Sequence, residues 1–204
     1  MRVLVTREEL VERVESLGHE AVVCELIRVE PLGDDPVDAR SYDWLVITSR
    51  NGAHELARRG VTANRIAAIG PATAEALRSH GLQVDLVAAT HTQEGLRDEL
   101  PEGTVLLAAA EGARQDVLDD DFLPLYRTIE LRPDVPAADV ALLMSGSAAR
   151  AFAATGAHVP VIAIGPQTEA GAREAGLYVV AVAAVHDLDG LVEALRSLSW
   201  SSPS

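Results

Sequence analysis

Aromatic side chains are scarce in this chain: only 3% of its 204 residues are Phe, Trp or Tyr, although 48% are hydrophobic. A core built from it must be aliphatic, as in layered strand-and-helix proteins. The one cysteine, Cys24, excludes an internal disulfide and any multi-cysteine metal site. It lies in the apolar run "AVVCELI" and reads as a small buried hydrophobe. No uncharged apolar run approaches the roughly 18 residues that a bilayer crossing needs. The opening "MRVLVTREEL" turns charged too early for a signal peptide, so a soluble, cytoplasmic protein is expected, with no membrane partner. Basic residues are also few, 17 against 31 acidic ones, which leaves a net charge of −14. Without a basic stripe to neutralise phosphates, nucleic acid is excluded as a partner.

Familiar site motifs are missing too. There is no GxGxxG and no GxxxxGK[ST], so dinucleotide and Walker-type phosphate loops are absent. Nor is there an HExxH, a CxxC or a GxSxG, which removes the usual zinc site and nucleophile elbow; no metal and no cofactor are expected. Chemistry without these groups needs a substrate that is itself reactive, held in one geometry.

What the chain does contain is a repeat. Residues 66–96 align without a gap to 161–191, with 15 identities in 31 positions, so the unit is duplicated. The match extends upstream with one residue of slippage, pairing Ser49 with Ser145 and Gly60 with Gly156. "RVLVT" (2–6) resembles "TVLLA" (104–108), and "LIRVEP" (26–31) resembles "YRTIEL" (126–131). Each half reads strand, helix, strand, strand, helix, strand, helix, strand, helix. Short aliphatic runs alternating with helical patterns predict two doubly wound, flavodoxin-like α/β domains with parallel sheets. "PLGDDPVDARS" (31–41) and "RPDVPAAD" (132–139) read as linkers, and the tail "SWSSPS" as frayed.

The repeated turns "IGPAT" and "IGPQT" each end a strand and open a helix. Gly70 and Gly165 permit a tight turn, and Pro71 and Pro166 suit the first helical position, which needs no amide hydrogen. Thr73 and Thr168 then stand beside unpaired N–H groups, where a helix start favours an anion. Ser49 and Ser145 occupy the same place on the preceding helices. Taken singly, each of these residues is an ordinary cap; recurrence in a drifting repeat is what distinguishes Thr73 and Thr168. Thr92 and Asp187 read as plain N-caps, and His91 and His186 as loop residues just before them.

The stretches "VLVTR" (3–7), "WLVITSRNGA" (44–53), "IAAIGPATAEALRSHGL" (66–82), "LYRT" (125–128), "MSGSAARAF" (144–152) and "IAIGPQTEAGAREAGL" (162–177) together resemble the uroporphyrinogen-III synthase family. They span nearly the whole chain, in the family's order. The resemblance implies a discontinuous first domain, 1–30 plus 132–204, and a second domain, 31–131, joined by a two-stranded connection that acts as a hinge beside a wide cleft. It implies a cofactor-free lyase that closes hydroxymethylbilane into uroporphyrinogen III with inversion of ring D. A monomer is expected, with transient contact to hydroxymethylbilane synthase.

Residue by residue, the resemblance makes Tyr126 the candidate for assisting departure of the substrate hydroxyl. It assigns substrate binding to Arg7, Ser49, Arg50, Asn51, Gly70, Thr73, Arg114, Ser145, Ser147, Gly165 and Thr168. The chain also departs from the family. Where many members have an RGxGGR-like turn it has "AAEGAR" (109–114), keeping Arg114 but placing Ala109 and Ala110 at an arginine and a glycine. The crossover helices, expected at 8–18 and 112–122, are short. The alternative reading is a divergent ligand-binding or regulatory module of the same fold without turnover.

Overall fold

The computed structural model describes residues 1–118 and 121–198; the "SWSSPS" tail lies outside the described residues. The chain divides into two units, Met1–Arg28 with Ile129–Ser204, and Val29–Thr128. The crossings fall within two strands, β3 (Ile27–Pro31) and β10 (Asp121–Glu130).

In the first unit the strands are β1 (Arg2–Val5), β2 (Glu20–Val23), β11 (Val140–Leu143), β12 (Val161–Ala163) and β13 (Val179–Val182). They form one parallel sheet in the order β2-β1-β11-β12-β13. Counted along the unit this is 2-1-3-4-5, the flavodoxin-like order. The second unit holds β5 (Trp44–Ile47), β7 (Ile66–Ala68), β8 (Leu86–Val87) and β9 (Val105–Ala110), in the order β3-β10-β9-β5-β7-β8. Under the repeat, β5, β7 and β8 answer to β11, β12 and β13, while β9 answers to β1. The spatial order β10-β9-β5-β7-β8 therefore matches β2-β1-β11-β12-β13. One sheet has been threaded from two different starting points.

Both faces of each sheet are covered, which is why the strands are continuous apolar runs rather than alternating ones. In β5, Leu45 and Ile47 join Leu56 of α2 (Arg50–Arg59) and Leu77 of α3 (Pro71–Ser79). Trp44 and Val46 face the other way, toward Leu96 of α4 (Gln93–Glu99). In the first unit, Leu4, Ala141 and Leu143 pack with Phe152 of α5 (Gly146–Ala154) and Ala172 of α6 (Pro166–Glu174). Val3, Val5 and Leu142 pack with Val14 of α1 (Val11–Glu15) and with Leu191 and Leu195 of α7 (Leu188–Arg196). Cys24 is buried and unpaired, as a small hydrophobe would be. No helix among the described residues is long and apolar enough to cross a membrane.

The structure differs from the sequence reading in two places. The segment 31–41 is not all linker: β4 (Val37–Ala39) pairs in parallel with β6 (Val61–Ala63) as a small separate sheet. The second crossover helix does not form either, since 111–118 is turn and loop. Ten residues separate β9 from its parallel neighbour β10, fewer than a helical crossover needs. Gly112 and the aspartates of "EGARQDVLDDD" also disfavour helix.

Candidate active site

Nearly every candidate residue lies just beyond the carboxyl end of a strand, where open α/β sheets bind ligands. In the second unit the neighbouring strands β9, β5 and β7 bring forward Arg114, Ser49 and the Gly70–Thr73 turn. In the first, β1, β11 and β12 present Arg7, Ser145 and the Gly165–Thr168 turn in the same lateral order. The point where strand order reverses falls between β9 and β5 in one unit and between β1 and β11 in the other.

At the second unit's reversal point stands Tyr126. It is 5% exposed, and its hydroxyl lies 2.9 Å from Ser49 Oγ. Asn51, in the first turn of α2, lies near enough to the same phenol to lower its pKa. Ser49 is the N-cap of α2, its Oγ accepting from the Gly52 N–H at 2.9 Å. A hydroxyl that accepts an amide hydrogen at the cap is free to donate its own proton. When Ser49 donates to Tyr126 Oη, the phenolic proton is left for another acceptor. Burial raises the Tyr126 pKa above the ordinary phenol value, and the neighbouring Ser49 and Asn51 side chains lower it in part. The group is therefore a neutral donor at physiological pH, with Ser49 and the α2 N-terminus beside its conjugate base. By the repeat, Leu26 takes this place in the first unit, fully buried, so only the second unit carries a phenol at this position.

Ser145 caps α5, accepting from the Ala148 N–H at 3.1 Å, and Ser147 Oγ lies 3.1 Å from its Oγ. Ser145→Ala should lower stability by about 1 kcal/mol through the lost cap, read as a shift in the urea midpoint. Thr92 and Asp187 likewise cap α4 and α7. By contrast α3 and α6 begin at Gly70 and Gly165, which offer no side-chain cap. Their N-terminal amides are left to a ligand or water. Thr73 and Thr168 are each 5% exposed, their hydroxyls make no hydrogen bond among the described residues, and neither hydroxyl is sealed from solvent.

The arginines differ in availability. Arg114 is held by Glu94 at the start of α4 and lies 3.6 Å from Asp116, while its carbonyl accepts from Gln93. Arg7 lies 3.9 Å from Glu9 and is partly exposed, and Arg50 makes no ion pair among the described residues. Ala109, which the sequence resemblance sets at an arginine, is fully buried in the cluster that includes Leu96 of α4. In this chain the position belongs to the core.

A family model described as uroporphyrinogen-III synthase HemD matches residues 8–193. The chain belongs to the uroporphyrinogen-III synthase family. The porphyrin biosynthesis protein HemD of Ruminiclostridium josui is 28% identical over 160 residues, 62% of this chain. The chain spans about a third (32%) of the length of that relative. Among solved structures, a mutant uroporphyrinogen III synthase of Thermus thermophilus matches with a TM-score of 0.69 at 18% identity, covering 96% of this chain and 97% of that one. The wild-type enzyme of the same bacterium, in another crystal form, matches with a TM-score of 0.50, also at 18% identity, covering 96% of each chain. These likenesses show the two-domain α/β fold.

Proposed function

We propose that this family member converts hydroxymethylbilane into uroporphyrinogen III, and that Tyr126 assists the first step. The observation that carries the reading is the Ser49–Tyr126–Asn51 cluster at the strand-order reversal. In this mechanism the pyrrole nitrogen pushes electrons toward the hydroxymethyl carbon as its C–O bond breaks. The phenolic proton leaves with the oxygen as water, and the tyrosinate keeps Ser49 as a hydrogen-bond donor. The azafulvenium then accepts attack from the substituted carbon of ring D. The spiro intermediate fragments and recloses with the ring inverted, and the proton finally lost from the pyrrole restores the phenol. No residue forms a covalent bond to substrate. The protein donates one proton and selects one geometry.

The substrate carries eight carboxylates, and backbone amides bind anions without net positive charge, which reconciles an acidic protein with an acidic substrate. Each unit supplies receptors: the start of α3 with Thr73, and the start of α6 with Thr168. Ser49, Arg50, Ser145, Ser147 and Arg7 lie at neighbouring strand ends. We place the protein in the cytoplasm as a monomer, receiving substrate by transient contact with hydroxymethylbilane synthase. The deciding experiment couples the protein to hydroxymethylbilane synthase and separates the uroporphyrin isomers. Accumulation of isomer III supports the reading; isomer I alone, as without enzyme, would overturn it. In the same assay Thr73→Ala and Thr168→Ala should each cost about two- to twelvefold in kcat/KM, because one neutral hydrogen bond is lost while the amides remain. Complete loss of isomer III in folded Thr73→Ala would show that one side chain dominates.

A further inference from the structure

We infer that His91 and His186 are carboxylate-contacting residues, one at each glycine–proline turn; this rests on the proposed function. A Cβ on Gly70 would stand 3.1 Å from the His91 ring, and one on Gly165 would stand 3.2 Å from the His186 ring. The backbone gives no other reason for glycine at these N-caps. Both have extended φ, −176° and −178°, which any residue adopts. Room for an imidazole against the turn is what the missing side chain provides.

The two rings are exposed, and their nitrogens have no hydrogen-bond partner among the described residues. His54 and His80 show the contrast: their ring nitrogens lie 2.8 Å apart and bond each other. A second observation points to a ligand at the same place. Thr73 and Thr168, each 5% exposed and without a partner among the described residues, lie in the uncapped first turns of α3 and α6. Each turn thus gathers amide groups, a hydroxyl and an imidazole, all able to donate and none engaged. The same set recurs in both units. An imidazole N–H, neutral or protonated, donates to a carboxylate, and the protonated ring adds charge attraction.

The test uses His91→Phe and His186→Phe, which keep a ring against the glycine but remove its donors, and His91→Asn and His186→Asn, which restore a donor. Hydroxymethylbilane KM and kcat are measured with melting temperature, and uroporphyrin III binding is followed by calorimetry as an octacarboxylate probe. Each Phe variant should raise KM about three- to tenfold, with a smaller change in kcat, and weaken uroporphyrin binding by a similar factor. Each Asn variant should recover part of both losses. Unchanged KM and probe affinity in the Phe variants would overturn the inference. So would losses that follow melting temperature and are equal for Phe and Asn, since the rings would then be packing only. If the unsubstituted protein makes only isomer I yet binds uroporphyrin in a histidine-dependent way, the functional proposal fails and the receptor stands. If it binds no uroporphyrin, the receptor fails as well.

Discussion

Tyr126→Phe should lower kcat by about a hundredfold, leave KM within about twofold and shift the product toward isomer I. General acid assistance contributes roughly 10²–10⁴-fold, and the low end suits a substrate that ionises readily on its own. Phenylalanine fits the same buried slot, so the change removes the proton and little else. Ser49 remains satisfied by the Gly52 N–H, which limits any loss of stability. Some isomer III should persist, because geometry is still selected by the anion receptors. The pH dependence has a defined sign. Burial raises the Tyr126 pKa, so the native fold holds the phenolic proton more tightly than the unfolded chain does. Its contribution to stability is complete below the ordinary value of 10.0 and is lost as pH rises beyond it. The pH-stability curves of the two proteins should therefore run parallel through neutrality and diverge only above about pH 10. Ser49→Ala should lower kcat less than Tyr126→Phe, because the phenol and its proton remain. Wild-type kcat and isomer ratio in Tyr126→Phe would remove the phenol from the mechanism.

The duplication made much of the fold legible. Fifteen matched positions carried the strand, the glycine–proline turn and the helix that follows in both halves. The aliphatic runs of β5, β9 and β11 could be read as doubly covered strands because both of their faces are buried. Other features depend on contacts between distant segments, and local pattern does not record those. Val37–Ala39 became a strand because Val61–Ala63 lies beside it, not because "PVDAR" favours extension. The helix missing at 111–118 reflects the short path between parallel strands. At the site, the motifs located Ser49, Asn51 and Tyr126 one by one. The Ser49–Tyr126 hydrogen bond comes from β10 lying beside β9, with Tyr126 seventy-seven positions from Ser49 along the chain. Arg114 was a candidate through the resemblance alone, and its ion pair with Glu94 was not legible in the sequence. His91 and His186 were visible as a recurring pair before a cap. Nothing local indicated that the rings turn back onto Gly70 and Gly165.

Gly190→Ala should be among the most damaging single-methyl substitutions in the chain, costing about 3 kcal/mol. Gly190 is the third residue of α7, and its N–H donates to the Asp187 cap at 2.7 Å. A Cβ there would stand 2.0 Å from the Val185 carbonyl oxygen and 2.8 Å from its carbon. Backbone cannot rotate aside as a flexible side chain would, so the 185–187 loop or the helix must shift. Overpacking of this kind costs about 1–3 kcal/mol, and the disturbed cap adds about 1 more. Leu191 and Leu195 follow on the same helix in the core, which opposes movement of α7 and sends the displacement into the loop. That loop carries His186, so the variant should also raise KM at permissive temperature. Gly95→Ala repeats the experiment in the other unit, where the Cβ would stand 2.3 Å from the Thr90 carbonyl oxygen. Gly112→Ala is the control, since a Cβ there meets nothing within 4 Å. Melting temperature should fall by roughly 6–12 °C for Gly190→Ala, on the scaling for a chain of this size, and stay near wild type for Gly112→Ala. Equal melting temperatures for the two variants would mean that the loop does not cross the first turn of α7 as closely as the structure shows.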